Sequence, residues 1–197
     1  MRLVLATRNP GKVAELAARL PDAIELVSAA EIHGAPDVVE DAPTLIGNAE
    51  KKARALYAHT GLPSLADDTG LEVDALGGAP GVRSARFASE TATDAENRTH
   101  LLRQLESASD RAARFRTVLA YVDADGLRTF DGVCDGVITS KEIGDQGFGY
   151  DSLFRPVDGD GRTFAEMAKG EKNDISHRGR ALDAFTRWLR DRSDEGS

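Results

Sequence analysis

The segment Thr7-Arg8-Asn9-Pro10-Gly11-Lys12 has the residue types of a phosphate-binding loop, and it joins an apolar run to a helical pattern. Backbone N–H groups at a helix start, with a hydroxyl, a glycine and a lysine nearby, can surround an anion, and the helix dipole favours negative charge there. The Walker A pattern of two glycines before Lys-Ser/Thr is absent, which disfavours a P-loop nucleotidase. An ordinary turn followed by a surface lysine is the alternative, and the spacing leaves both open.

Two carboxylates begin the motif Asp67-Asp68-Thr69-Gly70, which we predict at a strand end between the extended segments Ser64–Ala66 and Leu71–Asp74. Adjacent side chains of an extended segment point to opposite faces, so Asp67 and Asp68 should have different roles, one of them facing a substrate. A carboxylate in that place could bind Mg²⁺ or accept a proton from water. A solvated turn is the alternative. An aspartic protease is disfavoured because the chain has no second Asp-Thr-Gly.

Aromatic and basic residues near the C-terminus could bind a flat ligand. In Phe148-Gly149-Tyr150-Asp151 the glycine lets two rings approach such a ligand, and the carboxylate can accept hydrogen bonds from ring nitrogens. Lys172 and Ser176-His177-Arg178 place positive groups around the start of the last predicted helix, which suggests an anion or a base between them. Local core packing and a solvated basic patch are the respective alternatives.

Strands and helices alternate along the chain, with no repeat or linker, which predicts one α/β domain over residues 1–197. The predicted elements are a strand at Arg2–Ala6, a helix with Val13, Leu16, Ala17 and Leu20 on one stripe, a helix capped by Thr44 and ending near Gly61, a helix from Thr93 or Asp94 to Leu105, a hairpin of Phe115–Asp123 and Leu127–Thr139, and a helix at Ile175–Arg190.

Composition excludes several classes of function. With 25 Lys+Arg against 33 Asp+Glu, the net charge of -8 disfavours binding to nucleic acid or to anionic lipid through a broad basic face. The single cysteine, Cys134, cannot form an internal disulfide, and no Cys/His spacing fits zinc. No apolar stretch approaches the length of a membrane-spanning helix. We therefore expect a cytoplasmic protein without a membrane or nucleic-acid partner.

Taken together, the motifs resemble the inosine triphosphate pyrophosphatase family, also called Ham1-like. The resemblance covers nearly the whole chain. Its motifs are Leu5-Ala6-Thr7-Arg8-Asn9 with Gly11-Lys12, Asn48-Ala49, Ala66-Asp67-Asp68-Thr69-Gly70-Leu71, Leu76-Gly77-Gly78-Ala79-Pro80-Gly81 with Ser84-Ala85-Arg86, Phe148-Gly149-Tyr150-Asp151, Ala165-Glu166-Met167, and Lys172 with Ile175-Ser176-His177-Arg178.

The resemblance implies hydrolysis of ITP, dITP and XTP to the monophosphate and pyrophosphate, a role in cleansing the nucleotide pool. It implies Asp68 as the proton acceptor, with Asp68 and Glu40 binding Mg²⁺. Thr7, Asn9 and Lys12 would bind phosphates with Thr69 beside them, whereas Phe148–Asp151, Lys172, His177 and Arg178 would surround the base. The implied fold is a long twisted mixed β-sheet flanked by helices, in two lobes with a central substrate cleft, and the usual assembly is a homodimer.

Three departures from the usual family pattern stand out. Glu40-Asp41-Ala42-Pro43-Thr44 replaces a commoner Glu-Thr-Gly, and Gly47 replaces a glutamate before Asn48-Ala49. Both changes border the implied metal site, where Asp41 competes with Glu40 as the second carboxylate. Ser152 replaces the usual proline after Asp151, and we expect it to loosen that segment.

Two other functions are compatible with parts of this pattern. A Maf-type pyrophosphatase, acting on standard or modified pyrimidine nucleotides, would share the phosphate site but would not need His177-Arg178. A nucleotide-binding regulator without turnover would not need the carboxylates Glu40, Asp67 and Asp68, and all of these are present.

Overall fold

The structure is a computed structural model that describes residues 1–21 and 23–195. Within these residues it contains seven β-strands and five α-helices. The strands are β1 (Arg2–Leu5), β2 (Glu25–Ser28), β3 (Ser64–Val73), β4 (Pro80–Gly81), β5 (Ala112–Asp123), β6 (Gly126–Ile138) and β7 (Phe154–Pro156). The helices are α1 (Pro10–Ala17), α2 (Leu45–Thr60), α3 (Asp94–Gln104), α4 (Lys169–Ile175) and α5 (His177–Glu195).

All strands belong to one sheet, in the order β2-β1-β3-β5-β6-β7, with β4 paired to β3. β1 is parallel to β2 and to β3, whereas β4 is antiparallel to β3 and β7 is antiparallel to β6. The predicted mixed sheet with flanking helices is therefore confirmed. No helix in the described part of the chain is both long and apolar enough to cross a bilayer.

The chain divides into two compact units, and β3, β5 and β6 contribute residues to both. Unit 1 comprises residues 1–68, 117–132 and 178–197, and unit 2 comprises residues 69–116 and 133–177. Each unit has its own apolar core. The core of unit 1 contains Leu3, Leu5, Leu16, Leu65, Leu119, Tyr121, Ala181, Leu182 and Phe185. The core of unit 2 contains Leu71, Val73, Leu101, Leu105, Ala113, Phe115, Cys134, Ile138, Tyr150, Leu153, Phe154, Phe164 and Met167.

The starts of α2 at Thr44 and of α3 at Thr93 follow the predicted pattern, and α1 has a cap as well. Asn9 caps α1 by accepting hydrogen bonds from the N–H groups of Gly11 and Lys12, and Pro10 occupies the first helical position. Thr44 caps α2, and its hydroxyl oxygen accepts from the Gly47 N–H at 3.1 Å. Thr93 caps α3 in a capping box with Glu96. Helix α2 ends at Gly61, which has a left-handed conformation.

Three predicted boundaries are wrong. The motif at 67–70 lies inside β3 and not at a strand end, because the pairing of β3 continues beyond it: Leu71 lies opposite Gly81 and Glu72 opposite Pro80. The last helix is not continuous from Ile175, because Ser176 adopts an extended conformation that separates α4 from α5. Helix α5 also continues to Glu195, past the predicted end at Arg190.

Candidate functional site

The predicted phosphate loop forms a capped helix start in unit 1. The Thr7 hydroxyl oxygen accepts from the Asn9 N–H at 3.2 Å, and Ser28 donates to the Thr7 carbonyl oxygen at 3.0 Å. Because Asn9 already accepts from Gly11 and Lys12, the loop is held in shape by its own side chains. Arg8 is exposed and pairs with Asp37, so its guanidinium is directed to the connection that follows β2.

Lys12 is held against a buried carboxylate. Its Nζ lies 2.9 Å from Oδ2 of Asp67, which is fully buried. Arg178 donates to the same oxygen at 3.3 Å and also pairs with Glu15. Burial works to raise the pKa of Asp67, but the charges of Lys12 and Arg178 outweigh it and hold this pKa well below its usual range. Asp67 is therefore a permanently charged counter-ion.

Asp68 lies in a second set of charges, centred on Lys52 of α2. The Lys52 Nζ is 3.0 Å from Oδ1 of Asp68 and 2.9 Å from Oε2 of Glu40, and it donates to the Asp67 carbonyl oxygen at 2.7 Å. Asn48 donates to Oδ2 of Asp68 at 3.3 Å. We use the name charged cluster for Glu15, Glu40, Asp67 and Asp68 together with Lys12, Lys52 and Arg178.

The two carboxylates that share Lys52 differ in pKa. Burial, with the neighbouring Glu40, raises the pKa of Asp68 to about 6 despite the charge of Lys52. Although burial works to raise it, the charge of Lys52 lowers the pKa of Glu40 below its usual value. The pKa of Asp68 is therefore raised and that of Glu40 lowered, although both carboxylates contact the same ammonium group.

Asp67 and Asp68 form ion pairs with different cations, as expected for adjacent side chains of a strand. Their different roles stay a prediction. Glu40 and Asp41 differ in their contacts. Glu40 shares Lys52 with Asp68, whereas the exposed Asp41 pairs with Lys51. Thr69 follows Asp68 in β3 and is half-buried.

The sequence interpretation missed Lys52. Its side chain is buried, although the Lys51-Lys52 pair has the composition of a solvated helix surface. Its spacing in the sequence indicates this burial, because Lys52 lies three residues after Ala49 and four before Leu56, on the apolar stripe of α2. Asn48 precedes Lys52 by one turn and lies on the same buried face.

The departures at positions 42 and 47 are in contact with each other. A Cβ atom on Gly47 would lie 2.8 Å from the Cβ of Ala42, so the larger residue at 42 requires the smaller one at 47. The Ala42 N–H donates to Oδ1 of Asn48 at 2.9 Å. Asn48 thus connects the segment that carries Glu40 to Asp68.

Unit 2 contains a buried ion pair among aromatic rings. The Lys172 Nζ lies 2.8 Å from Oδ2 of Asp151, and both side chains are buried. This Nζ is also 4.9 Å from the ring centroid of Phe148 and 5.7 Å from that of Phe164. Gly147 has φ +79°, and a Cβ there would overlap the Asp151 carboxylate. We use the name aromatic cluster for Phe148, Asp151, Phe164 and Lys172.

Three further residues of the predicted base site have other surroundings. His177 is buried and stacks on Phe115, with ring centroids 4.5 Å apart. Tyr150 belongs to the core of unit 2, where its hydroxyl donates to the Ser84 carbonyl oxygen at 2.8 Å and burial raises its pKa. Gly149 is hydrogen-bonded through its backbone to α3.

The predicted base-binding set is divided between the units. Asp151, Lys172 and His177 belong to unit 2, whereas Arg178 belongs to unit 1, where it contacts Asp67 and Glu15. The helical spacing could not reveal this, because the partners of Arg178 lie 111 and 163 residues away in sequence. The geometry thus places Arg178 with the charged cluster.

Known proteins match this chain over nearly its full length. The sequence model of the Ham1 family matches residues 3–188. A Desulforamulus reducens protein named dITP/XTP pyrophosphatase is 51% identical over 186 residues, covering 92% of this chain and 92% of that protein. The structure of a HAM1 protein from Coxiella burnetii superposes with a TM-score of 0.89 at 41% identity, covering 97% and 99% of the two chains. The Staphylococcus aureus Ham1 structure gives 0.88 at 34% identity, covering 98% and 100%.

Proposed function

Because the chain belongs to the Ham1 family, as its motifs indicated, we propose that it hydrolyses deaminated purine nucleoside triphosphates such as ITP, dITP and XTP. The products are the nucleoside monophosphate and pyrophosphate. The observation that carries this proposal is the convergence of Glu40 and Asp68 on the ammonium group of Lys52 in unit 1. Such a group of opposite charges can bind a metal ion and a phosphate together.

The donor set fits Mg²⁺. This ion prefers oxygen ligands, and enzymes commonly bind it through one or two carboxylates together with substrate phosphates. In the described residues no three acidic, histidine or cysteine side chains form a complete metal site. Glu40 and Asp68 therefore suit an ion that takes its other ligands from the triphosphate and from water. When bound, Mg²⁺ would neutralise phosphate charge and stabilise the leaving pyrophosphate.

The protein's own side chains supply the remaining chemistry. Asp68 accepts the proton of the attacking water, a role that suits a carboxylate placed beside Lys52 in the charged cluster. Lys12 and Lys52 contribute positive charge to the triphosphate. Asp67 keeps Lys12 in place from the buried side, because its carboxylate lies 2.9 Å from the ammonium. Thr7 and Asn9 shape the loop before α1, and Thr69 follows the proton acceptor Asp68 in β3.

Base selection is proposed to depend on the aromatic cluster. Hypoxanthine and xanthine have a 6-oxo acceptor where adenine has an amino donor, so a cation such as Lys172 favours the former. When adenine binds, the buried donors of such a site remain unpaired. Unpaired buried donors are costly, so the site discriminates strongly against adenine. The half-buried ring of Phe148 offers a face for stacking on the base.

A panel of nucleoside triphosphates tests the proposal. The protein is incubated with ITP, dITP, XTP, GTP, ATP and pyrimidine triphosphates, with and without Mg²⁺, and the released phosphate species is identified. We expect pyrophosphate from the deaminated purines and little turnover of ATP. Orthophosphate release would refute the proposed reaction. Pyrimidine turnover would support a Maf-type enzyme, and ITP binding without turnover would support a regulator.

Other expectations remain proposals. These are a homodimer, a cytoplasmic location and a single catalytic domain over residues 1–197. Sedimentation equilibrium tests the first. A monomer with full ITP hydrolysis would show that assembly is not needed for activity.

A further inference from the structure

The backbone of Gly149 is hydrogen-bonded on both sides by the first turns of α3. Its N–H donates to Oδ2 of Asp94 at 2.8 Å, and its carbonyl oxygen accepts from Nη1 of Arg98 at 2.9 Å. Asp94 and Arg98 lie four residues apart on one face of the helix. Gly149 has φ +61° and is flanked by Phe148 and Tyr150, so these two bonds fix the backbone next to the Phe148 ring.

Arg98 also connects this segment to a second anchor. Its Nε donates to Oε2 of Glu142 at 2.8 Å, and the Ser152 hydroxyl donates to the same carboxylate oxygen at 3.1 Å. Ser152 is buried, and its carbonyl oxygen accepts from the Ile143 N–H at 2.9 Å. Ser152 stands where the family usually has proline, and its hydroxyl adds a hydrogen bond to the segment.

Helix α3 is itself firmly held. The side chain of Asn97 accepts from the Ala88 N–H and donates to the Ala85 carbonyl oxygen, and Leu101 is in the core of unit 2. The capping box of Thr93 and Glu96 fixes the start of the helix. Asp94 and Arg98 therefore extend from a rigid element to a segment that contains Gly144, Gly147 and Gly149, all with positive φ.

We propose that Asp94 and Arg98 are positioning residues for base selection, which hold Phe148–Asp151 in the conformation that recognises the base. The proposal rests on the proposed function and adds two residues to it. The Asp151 carboxylate accepts from the Phe148 N–H at 2.9 Å, so a shift of Gly149 displaces both the ring and the carboxylate that pairs with Lys172. Asp94 and Arg98 act through the segment and not on the base.

Loss of these bonds leaves the segment room to move. A cavity of about 320 Å³ is lined by Asp94, Arg98 and Glu142 together with residues 144–149, 151 and 152. Because water can enter this space, the free backbone groups of Gly149 would be solvated and the segment would sample other conformations. A displacement of about 1 Å can reduce catalytic efficiency by about 10²-fold. The base-recognition geometry is therefore sensitive to both bonds.

The test compares Arg98→Ala with Arg98→Lys, Asp94→Ala and Asp94→Asn. Arg103→Ala is the control, because Arg103 is an exposed basic residue on the same helix. For each variant, kcat and KM are measured with ITP and with ATP, and NMR follows exchange of the Gly149 amide hydrogen. Thermal unfolding identifies the temperature range in which every variant is folded.

For Arg98→Ala and Asp94→Ala we expect KM for ITP to rise about tenfold with little change in kcat, because contacts to the base that are equally strong in the ground state and the transition state are weakened, whereas the proton transfer is unaffected. The ITP to ATP ratio of kcat/KM should fall by about the same factor. Arg98→Lys should be intermediate, since one ammonium replaces a guanidinium that makes two bonds. Asp94→Asn, which keeps an acceptor, and Arg103→Ala should behave like the parent protein.

Exchange of the Gly149 amide should be about tenfold faster in Asp94→Ala and unchanged in Asp94→Asn. Equal losses for ITP and ATP, or unchanged exchange and kinetics, would overturn the proposal. If the parent protein hydrolyses no deaminated purine, the proposed function fails. The exchange measurement still shows in that case whether Asp94 and Arg98 hold the segment, so the two failures are distinguishable.

Discussion

The charged cluster of unit 1 and the aromatic cluster of unit 2 use ion pairs of similar length in different ways. Lys52 lies 2.9 and 3.0 Å from two carboxylates, whereas Lys172 lies 2.8 Å from one carboxylate and faces aromatic rings. The charged cluster has four carboxylates and three cations, so it retains negative charge for a metal ion. In the aromatic cluster the ammonium of Lys172 balances the carboxylate of Asp151, and their ion pair fixes the direction of the ammonium group. The first arrangement suits phosphate chemistry, and the second suits discrimination between bases.

The largest expected effect is that of Asp68→Asn, which breaks the charged cluster alone. The amide keeps the shape but loses proton acceptance and charge, so kcat for ITP should fall by about 10²- to 10⁴-fold. The ITP to ATP ratio of the residual activity should stay at the parental value, since the aromatic cluster is intact. Steady-state kinetics at saturating Mg²⁺ and circular dichroism check both statements. A rate close to that of the parent would remove Asp68 from the mechanism.

Arg178→Gln decides to which cluster this residue contributes. Removing one partner of a buried ion pair costs about 3–5 kcal/mol, and Arg178 is buried against Asp67 and Glu15. We expect a free energy of unfolding lower by this amount, with kcat/KM for ITP and ATP reduced by one common factor. Urea unfolding and kinetics with both substrates provide the measurement.

Arg192→Gln is the matched control, because Arg192 pairs with Asp123 and Asp125 at a partly exposed position. Surface pairs contribute about 0–1 kcal/mol, so this variant should be nearly as stable as the parent. If Arg178→Gln instead reduces ITP hydrolysis and leaves ATP hydrolysis unchanged, Arg178 reads the base, as the helix-start pattern suggested.

Lys12→Met and Lys172→Met together test whether the charged cluster and the aromatic cluster have separate roles. Each removes a charge-assisted contact worth about 1.5–3 kcal/mol, equivalent to roughly 10- to 100-fold in kcat/KM. Lys12→Met should reduce hydrolysis of ITP and ATP equally, because every nucleoside triphosphate presents the same phosphates. Lys172→Met should reduce ITP hydrolysis selectively. Kinetics with both substrates, with thermal unfolding as the folding control, test this division, and a selective effect of Lys12→Met would contradict it.

The smallest effect concerns the contact between Ala42 and Gly47 beside Glu40. Gly47→Ala gains helix propensity of about 1 kcal/mol, but overpacking against the Ala42 Cβ costs about 1–3 kcal/mol. We expect a net loss of roughly 1 kcal/mol, recovered in the double variant Ala42→Gly/Gly47→Ala. A double-mutant cycle in urea measures the coupling. Additive effects of the two substitutions would show that the contact is unimportant.

Part of the local structure around the charged cluster could be predicted from local patterns. The helix start after Asn9, the Thr44 cap and the opposite surroundings of Asp67 and Asp68 all follow from residue types and the period of a strand or helix. Local backbone preferences and side-chain reach act over a few residues, so the sequence shows them directly. The position of the 67–70 motif inside β3 did not follow, because it depends on pairing with β4.

Sequence alone determined the family, the mixed α/β fold and the chemical types available for catalysis, because motif order and hydrophobic patterning are properties of the linear chain. Tertiary structure decided which charges meet. It buried Lys52 between Glu40 and Asp68, directed Arg178 to Asp67 and Glu15, and bonded Gly149 to α3. Partners that lie 12 to 163 residues apart are brought together only when the chain folds, and burial together with the neighbouring charges then sets the pKa of each carboxylate.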